Sequence, residues 1–394
     1  MATIVTDVLV IGAGAAGLMC AIEAGRRGRR VLVIDHNQAP AEKIRISGGG
    51  RCNFTNLNCR PEAFLSDNPH FCVSALRRFS QHDFIARMEA RQIAYHEKTA
   101  GQLFCDGSAK QIIAMLLSDL REAGGDLKLG VGPTSLEGGT DGFIVGTASE
   151  TFVCSSLVIA TGGKSIPKMG ATGYAYDVAA QFGLRIVDPR PGLVPFTIGP
   201  PTLDAISALA GLSTPARVTA GDKTFEEGLL FTHRGLSGPA VLQASSYWKA
   251  PSDVSIDLAP GRDVLRDLKI ARQERPKATL TSGLSDMIPR RLALHLAETT
   301  AGDLRLADLS DLKLRRVAEA VQDWRLRPSG TEGWRTAEVT VGGVDTRDLS
   351  SQTLEAKGRK GLFFIGECVD VTGWLGGYNF QWAWSSGWAA GQAA

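Results

Sequence analysis

The stretch DVLVIGAGAAGLMCAIEAGRRGRRVLVID, residues 7–35, decides the fold. Asp7 to Ile11 reads as a buried parallel strand, and Gly12, Gly14 and Gly17 then open a helix running to about Arg27. A second apolar strand, Val31 to Ile34, ends in Asp35, 18 residues after Gly17. In this order the three glycines have separate physical tasks: a tight turn, a close approach of backbone to a pyrophosphate, and close packing of helix on strand. The helix start offers free N–H groups and partial positive charge, and an acid at the position of Asp35 accepts hydrogen bonds from an adenosine ribose. Strand, glycine turn, helix, strand and acid together predict a dinucleotide site in an α/β domain; NAD and FAD both use this unit, so it does not choose between them.

Composition fits that reading. With 394 residues the chain is long enough for two or three domains of about 150 residues each. Its 44% hydrophobic and 21% charged residues exclude a disordered, collagen-like or disulfide-scaffold protein. Glycine is over-represented, 45 of 394 against a usual share of about 7%. The net charge of +2 sets up no global field that selects nucleic acid or membrane. Seven cysteines, at 20, 52, 59, 72, 105, 154 and 368, contain no Cys-x-x-Cys pair, which predicts reduced thiols in a cytoplasmic protein. The longest apolar run, Val8 to Ile22, is interrupted by glycines and too short for a span of about 20 residues, and no basic n-region precedes it. Neither a membrane helix nor a signal peptide is therefore expected, and no metal-ligand spacing is present.

Further glycine-rich turns follow. Ser47-Gly-Gly-Gly-Arg-Cys-Asn-Phe-Thr-Asn56 is expected to be a loop without regular structure, its backbone N–H groups and Arg51 suited to phosphate or a flavin edge; a plain surface loop is the alternative. Cys52 within it is expected to pack rather than react. Ser108 to Ala123 reads as an amphipathic helix, Asp126 to Val131 as a third strand, Ser135 to Val153 as a meander and Ser156 to Ala160 as another buried strand delivering Thr161-Gly162-Gly163 to the same sheet edge. Near the C-terminus a strand from Gly361 to Ile365 ends in Gly366-Glu367. Beyond it, Gly373-Trp-Leu-Gly-Gly-Tyr-Asn379 leads into a helix over Phe380 to Ala390.

With Thr-His-Arg-Gly-Leu-Ser-Gly-Pro at 232–239, these motifs resemble the BaiN/RdsA-type NAD(P)/FAD-dependent oxidoreductases, also described as aminoacetone-oxidase-like flavoproteins. The resemblance covers essentially the whole chain. It implies bound FAD and a glutathione-reductase-type, Rossmann-like FAD-binding domain from residues 1–190 and 335–394. A β-barrel-like inserted domain (191–260 and 328–334) would carry a helical subdomain (261–327). The cofactor-holding residues it implies are Gly12, Gly14, Ala15, Ala16 and Gly17 at the pyrophosphate, Asp35 at the ribose with His36 and Lys43 nearby, and Ser47, Gly48, Gly49, Gly50, Arg51, Cys52 and Asn53 along flavin and phosphates. Thr161, Gly162 and Gly163 complete the sheet edge, Gly366 and Glu367 lie along the ribityl chain, and Gly376, Gly377, Tyr378 and Asn379 stand near flavin N1 and O2. Gly101-Gln-Leu-Phe-Cys105 replaces an expected Gly-Arg-Val-Phe-Pro, Leu354-Glu-Ala-Lys357 replaces Met-Glu-Ser-Lys, and Trp374, Trp382, Trp384 and Trp388 mark a Trp-rich-tail subfamily.

Residues 261–327 are basic, with 14 Lys and Arg against 10 Asp and Glu, while the remainder holds 29 against 31. Runs such as Arg290-Arg291 and Lys313-Leu-Arg-Arg316 are usually solvated helix faces; contact with RNA phosphates is the alternative. No second strand-linked G-x-G-x-x-G is present, so NADH or NADPH is expected to bind transiently, if it is the reductant. The leading expectation is reduction of an activated C=C bond in a small molecule by hydride from flavin N5, or oxidation of a small amine or alcohol. The alternatives are an RNA-acting flavoprotein that forms dihydrouridine in ribosomal RNA, and a non-catalytic FAD-binding or redox-sensing protein. Proton-donor candidates are His233, Tyr378 and Glu367, and His233 has bracing of the domain interface as its alternative role.

Overall fold

The computed structural model describes residues 2–394. It divides into two compact units, one of residues 2–190 with Val339–Ala394, the other Pro191–Glu338.

The nucleotide-type unit is built on a seven-stranded mixed sheet. Its centre is parallel: Val8–Ile11 pairs with Val31–Ile34 on one side and with Ser156–Ile159 on the other. Asp126–Leu129 extends the sheet beyond Val31–Asp35, and Leu362–Phe364 pairs with the end of the strand Glu150–Ile159. Val8, Leu9, Val10, Leu157, Val158 and Ile159 are wholly buried, as expected of parallel strands covered on both faces. The expected break between Val153 and Ser156 does not occur. One strand, Glu150–Ile159, serves two partners on the same edge, the antiparallel hairpin strand Phe143–Thr147 with its first half and Leu362–Phe364 with its second. Alternating burial in the first half and continuous burial in the second gave it two sequence signatures.

The Gly-rich stretch also differs from expectation. Helical backbone spans Glu42–Gly50, broken at Ser47–Gly49, where Gly48 and Gly49 take left-handed φ of 57° and 67°. Asn53–Asn56 is then a strand, paired antiparallel with Gln102–Cys105. The paired segments lie about 50 residues apart in the chain, so the pairing had no local signature.

The C-terminal helix Tyr378–Gly391 lies on the glycine-opened helix Ala15–Arg26. Gly387 and Gly391 are notches: a Cβ at Gly387 would strike the backbone of Ala16, and one at Gly391 would stand 2.6 Å from Glu23 Cβ. The tryptophans are structural. Trp382 Nε1 donates to the Gly366 carbonyl at 3.0 Å, and Trp384 Nε1 to that of Phe54 at 2.8 Å while its ring stacks on Phe84 at 4.3 Å.

The inserted unit carries a seven-stranded antiparallel sheet that runs as an open path from Trp324–Leu326 through Val254–Asp257, Ser213–Ala220, Lys223–Thr232, Gly235–Ser237 and Phe196–Thr197 to Gly330–Thr331. The strand Phe196–Thr197 is short because Leu193 before it adopts a left-handed φ of 47° and Pro195 follows. The unit also contains the helices Thr202–Ile206, Pro239–Ser245, Val264–Glu274, Leu280–Leu284, Arg290–Thr300 and Asp311–Gln322.

Asp370 is 3% exposed and accepts from the Asp67 N–H at 2.9 Å and the Ser66 hydroxyl at 3.3 Å. Burial, with the neighbouring charge of Asp67, pushes its carboxyl up to about 6. A carboxyl raised on folding stabilises fully below its unfolded pKa, and that contribution is lost as pH rises through the folded value.

Two stability outcomes follow from this packing. Trp384→Ala should cost about 3–5 kcal/mol, read by urea unfolding, since it leaves a cavity and an unpartnered carbonyl. Asp370→Asn keeps an acceptor for the Asp67 N–H. It should abolish a stability loss of about 3 kcal/mol that the natural chain suffers between about pH 4 and pH 7, whereas parallel pH profiles for the two proteins would contradict the assignment.

Candidate dinucleotide site

The glycines of the first turn differ in what forbids a side chain. Gly12 has φ 113°, and a Cβ there would stand 2.5 Å from the Ala160 carbonyl oxygen; at Gly17 it would run into the carbonyl of Gly12. Both are demanded by the protein's own packing. Gly14 is not: its φ is −82°, open to any residue, and a Cβ would meet nothing within 4 Å. Gly49 and Gly162 likewise look onto open space, though their φ of 67° and 74° favours glycine on its own.

Ala15 and Ala16 start the helix, which has no side-chain cap and no acid in its first turn, so its N–H groups and positive end are uncompensated. The Thr161 hydroxyl, at the end of the neighbouring strand, is buried without a hydrogen-bond partner. Asp35 holds the turn: Oδ2 accepts from Ala13 N at 2.7 Å and Oδ1 from Asn37 N at 2.8 Å. A carboxylate offers about four acceptor positions, which leaves two for hydroxyl groups. His36 stands 3.7 Å from it with half its side chain exposed. An uncapped helix start, an orphaned hydroxyl and a side-chain-free opening over Gly14 fit a ligand bearing a pyrophosphate, so the residues present suit the cofactor that the motifs imply.

Four distant segments meet beside this turn. Lys43 Nζ donates to Glu367 Oε2 at 2.5 Å and to Ser165 Oγ at 2.8 Å, Ser165 Oγ donates to Glu367 Oε1 at 2.5 Å, and Thr340 donates to the same oxygen through its N–H at 3.0 Å and its hydroxyl at 3.1 Å. Gly163 is glycine because a Cβ would collide with the Thr340 hydroxyl. Ser165 and Thr340 escaped sequence reading; the signal was a polar residue inside the buried run Val339–Val344. Gly366 donates its N–H to Ser386 Oγ at 3.0 Å, which ties this turn to the C-terminal helix.

The loops at 47–53 and 376–379 are brought together. A Cβ on Gly377 would strike the Thr55 carbonyl, Asn56 Nδ2 donates to the Gly376 carbonyl at 2.8 Å, and Asn379 clasps Gly373 through both its amide atoms at 2.8 Å. Asn53 pairs with Gln102 at 3.0 Å. Gly377 starts the C-terminal helix with no side-chain cap and no acid in the first turn, giving a second positive helix end. Arg51 is exposed and makes no ion pair. Cys52 is buried at a left-handed φ of 52°, and burial pushes its thiol up to about 12, which fits packing rather than reactivity.

The proton-donor candidates fare differently. Glu367 uses both oxygens as acceptors. Tyr378 is buried between Phe64 and Trp374 at ring distances of 6.1 and 6.2 Å. His233 lies in the inserted unit, exposed on the turn between Lys223–Thr232 and Gly235–Ser237. Among the described residues no helix is long and apolar enough to cross a membrane.

Comparison with known proteins agrees with this geometry. The HI0933-like protein Rossmann domain matches residues 6–393. The chain is 51% identical over 388 residues to the ribosomal RNA dihydrouridine synthase of Escherichia coli (strain K12), covering 98% of this chain and 97% of that protein. It is 27% identical over 409 residues to the 3-dehydro-bile acid delta(4,6)-reductase of Clostridium scindens, 98% of each. Among solved structures, the 3-ketosteroid-delta4-(5alpha)-dehydrogenase of Rhodococcus jostii RHA1 superposes with a TM-score of 0.50 at 14% identity, over 98% of this chain and 97% of that one, a likeness of fold alone. The chain thus belongs to the HI0933-like Rossmann family, the BaiN/RdsA-type flavoprotein oxidoreductases that its motifs resemble.

Proposed function

We propose that the chain is an FAD-dependent reductase that saturates the C5=C6 bond of a uridine in ribosomal RNA. The observation that carries the cofactor reading is the open space over Gly14 at an uncapped helix start. The substrate reading is supported by 51% identity, over nearly the full length of both chains, to a ribosomal RNA dihydrouridine synthase. This reverses the order expected from sequence, in which a small molecule came first. Reduction of a small-molecule C=C bond remains the second reading, supported by the 27% identical bile acid reductase.

FAD, when bound, would supply the hydride needed at the uracil carbon β to the C4 carbonyl, the adjacent carbon taking up a proton. The residues Gly12–Gly17 hold the pyrophosphate at the positive end of the helix Ala15–Arg26, and Asp35 orients the ribose with its two remaining acceptor positions. The Lys43–Glu367–Ser165–Thr340 network is preorganised, each side chain locked by the others, so polar groups along the ribityl chain need no rearrangement. The uncapped start of the helix Tyr378–Gly391 would favour negative charge on a flavin ring held beside it. Electrons come from NADH or NADPH bound transiently, in keeping with a single strand-linked glycine fingerprint. A ribosomal RNA substrate sets this work in the cytoplasm.

Gly14→Leu should separate binding from folding. Because neither φ nor space opposes the side chain, the variant should unfold within about 1 kcal/mol of the natural protein yet purify without flavin and resist reconstitution; full occupancy would contradict the site. The substrate reading is checked by incubating the protein and NADPH with ribosomal RNA from cells lacking it, then digesting to nucleosides for mass spectrometry. A uridine heavier by two hydrogens at one position is expected, and RNA unchanged under conditions that reduce the flavin would overturn the reading.

A further inference from the structure

We infer that the exposed face of the helix Asp311–Gln322, bearing Lys313, Arg315 and Arg316 beside Leu312, docks the phosphate backbone of the RNA substrate, an inference that rests on the ribosomal RNA reading above. The helix is sided. Leu314, Val317, Ala318 and Val321 are buried in the inserted unit, whereas Leu312, Arg315, Arg316 and Glu319, spaced as one helix face, are exposed.

What distinguishes this face is that three neighbouring cations are, among the described residues, held in no ion pair. Most other cations of the helical segment are paired, as on ordinary solvated helix faces: Arg262 pairs with Asp267 at 2.9 Å, Arg275 with Asp286, Arg325 with Asp323 at 3.0 Å and Arg327 with Asp253 at 2.6 Å. Arg291 donates to the Leu209 and Ala210 carbonyls. Asp311, the acid in the first turn of the helix, is taken by Lys269 at 2.9 Å and Arg272 at 2.7 Å from the neighbouring helix. Lys313, Arg315 and Arg316 consequently have no carboxylate within 4 Å, and Glu319, one turn on, pairs with none of them. The segment's other unpaired cations, Lys277, Arg290 and Arg305, stand apart from one another in the sequence.

Three like charges in four positions repel one another, and in the first two turns they also oppose the helix macrodipole. Such an arrangement lowers stability unless a polyanion compensates it. Two guanidinium groups match phosphate oxygens bidentately, and the 61% exposed Leu312 between the cations offers an apolar contact for a ribose or an unstacked base. The surrounding charge has the same sense, since residues 261–327 carry the chain's whole positive excess.

The test compares two triple variants with equal charge change, Lys313→Gln/Arg315→Gln/Arg316→Gln and Lys277→Gln/Arg290→Gln/Arg305→Gln, in the flavin-loaded full chain. Affinity for protein-free ribosomal RNA is measured across a salt series. The first triple should bind about tenfold or more weakly, with the slope of log affinity on log salt shallower by about 3, while flavin content stays that of the natural protein and the melting temperature without RNA is equal or higher, the repulsion having been removed. The second triple should lose far less. Equal losses in both would reduce the effect to net charge and overturn the surface. Unchanged binding by the first triple, with dihydrouridine still formed by the natural protein, would overturn the surface and leave the substrate reading standing. A natural protein that neither binds the RNA nor modifies it would sink both. Should the triple melt low, Arg316→Gln alone carries the comparison, with a slope change of about 1.

Discussion

The nucleotide unit depends on how closely the helix Ala15–Arg26 can approach the end of the strand Glu150–Ile159. Gly12 and Gly17 permit that approach by having no Cβ where the Ala160 and Gly12 carbonyls stand. The helix start is thereby brought to the carboxyl edge of the parallel strands, uncapped and without an acid, and the same edge receives the Thr161 and Gly366 turns. An anion-binding end placed at a strand edge is the general condition for nucleotide binding in α/β sheets. The C-terminal helix then locks the geometry through its glycine notches and through the hydrogen bond from Trp382 to Gly366.

Much of this was legible in sequence because it is local. The periodicity of residues 7–35, the three glycines and Asp35 fall within one supersecondary unit, and the turns at 47–53, 161–163 and 376–379 declare themselves through glycine. The Lys43–Glu367–Ser165–Thr340 cluster was not legible: its four members come from four segments that only the folded sheet edge brings together. The pairing of Asn53–Asn56 with Gln102–Cys105 was hidden for the same reason, and glycine density there disguised a strand as a loop. The tryptophans read as a subfamily mark and proved to be packing and hydrogen-bonding anchors.

The inserted unit divides along the same line. Its helical stretch at 261–327 came with the family resemblance, while the ten-residue strand Lys223–Thr232, with Glu226 and Glu227 in its middle, carries too little apolar signal to be read without its partners Ser213–Ala220 and Gly235–Ser237. Charge behaved likewise. Composition showed a basic segment, but only the three-dimensional pairing separates cations held by carboxylates from those on the helix Asp311–Gln322 that are not. His233 illustrates the converse, a residue type suited to proton transfer that the fold sets on an exposed hairpin turn.

The function proposed requires that a flavin held over Gly14 pass its electrons to RNA. The most direct measurement reduces the flavin-loaded protein anaerobically, removes excess reductant and follows the oxidised-flavin absorbance band after adding ribosomal RNA from cells lacking the protein. The band should return in proportion to the RNA added, and RNA already carrying the modification should not restore it. A flavin that stays reduced with both RNAs yet is reoxidised by a small-molecule enone would contradict the proposed function.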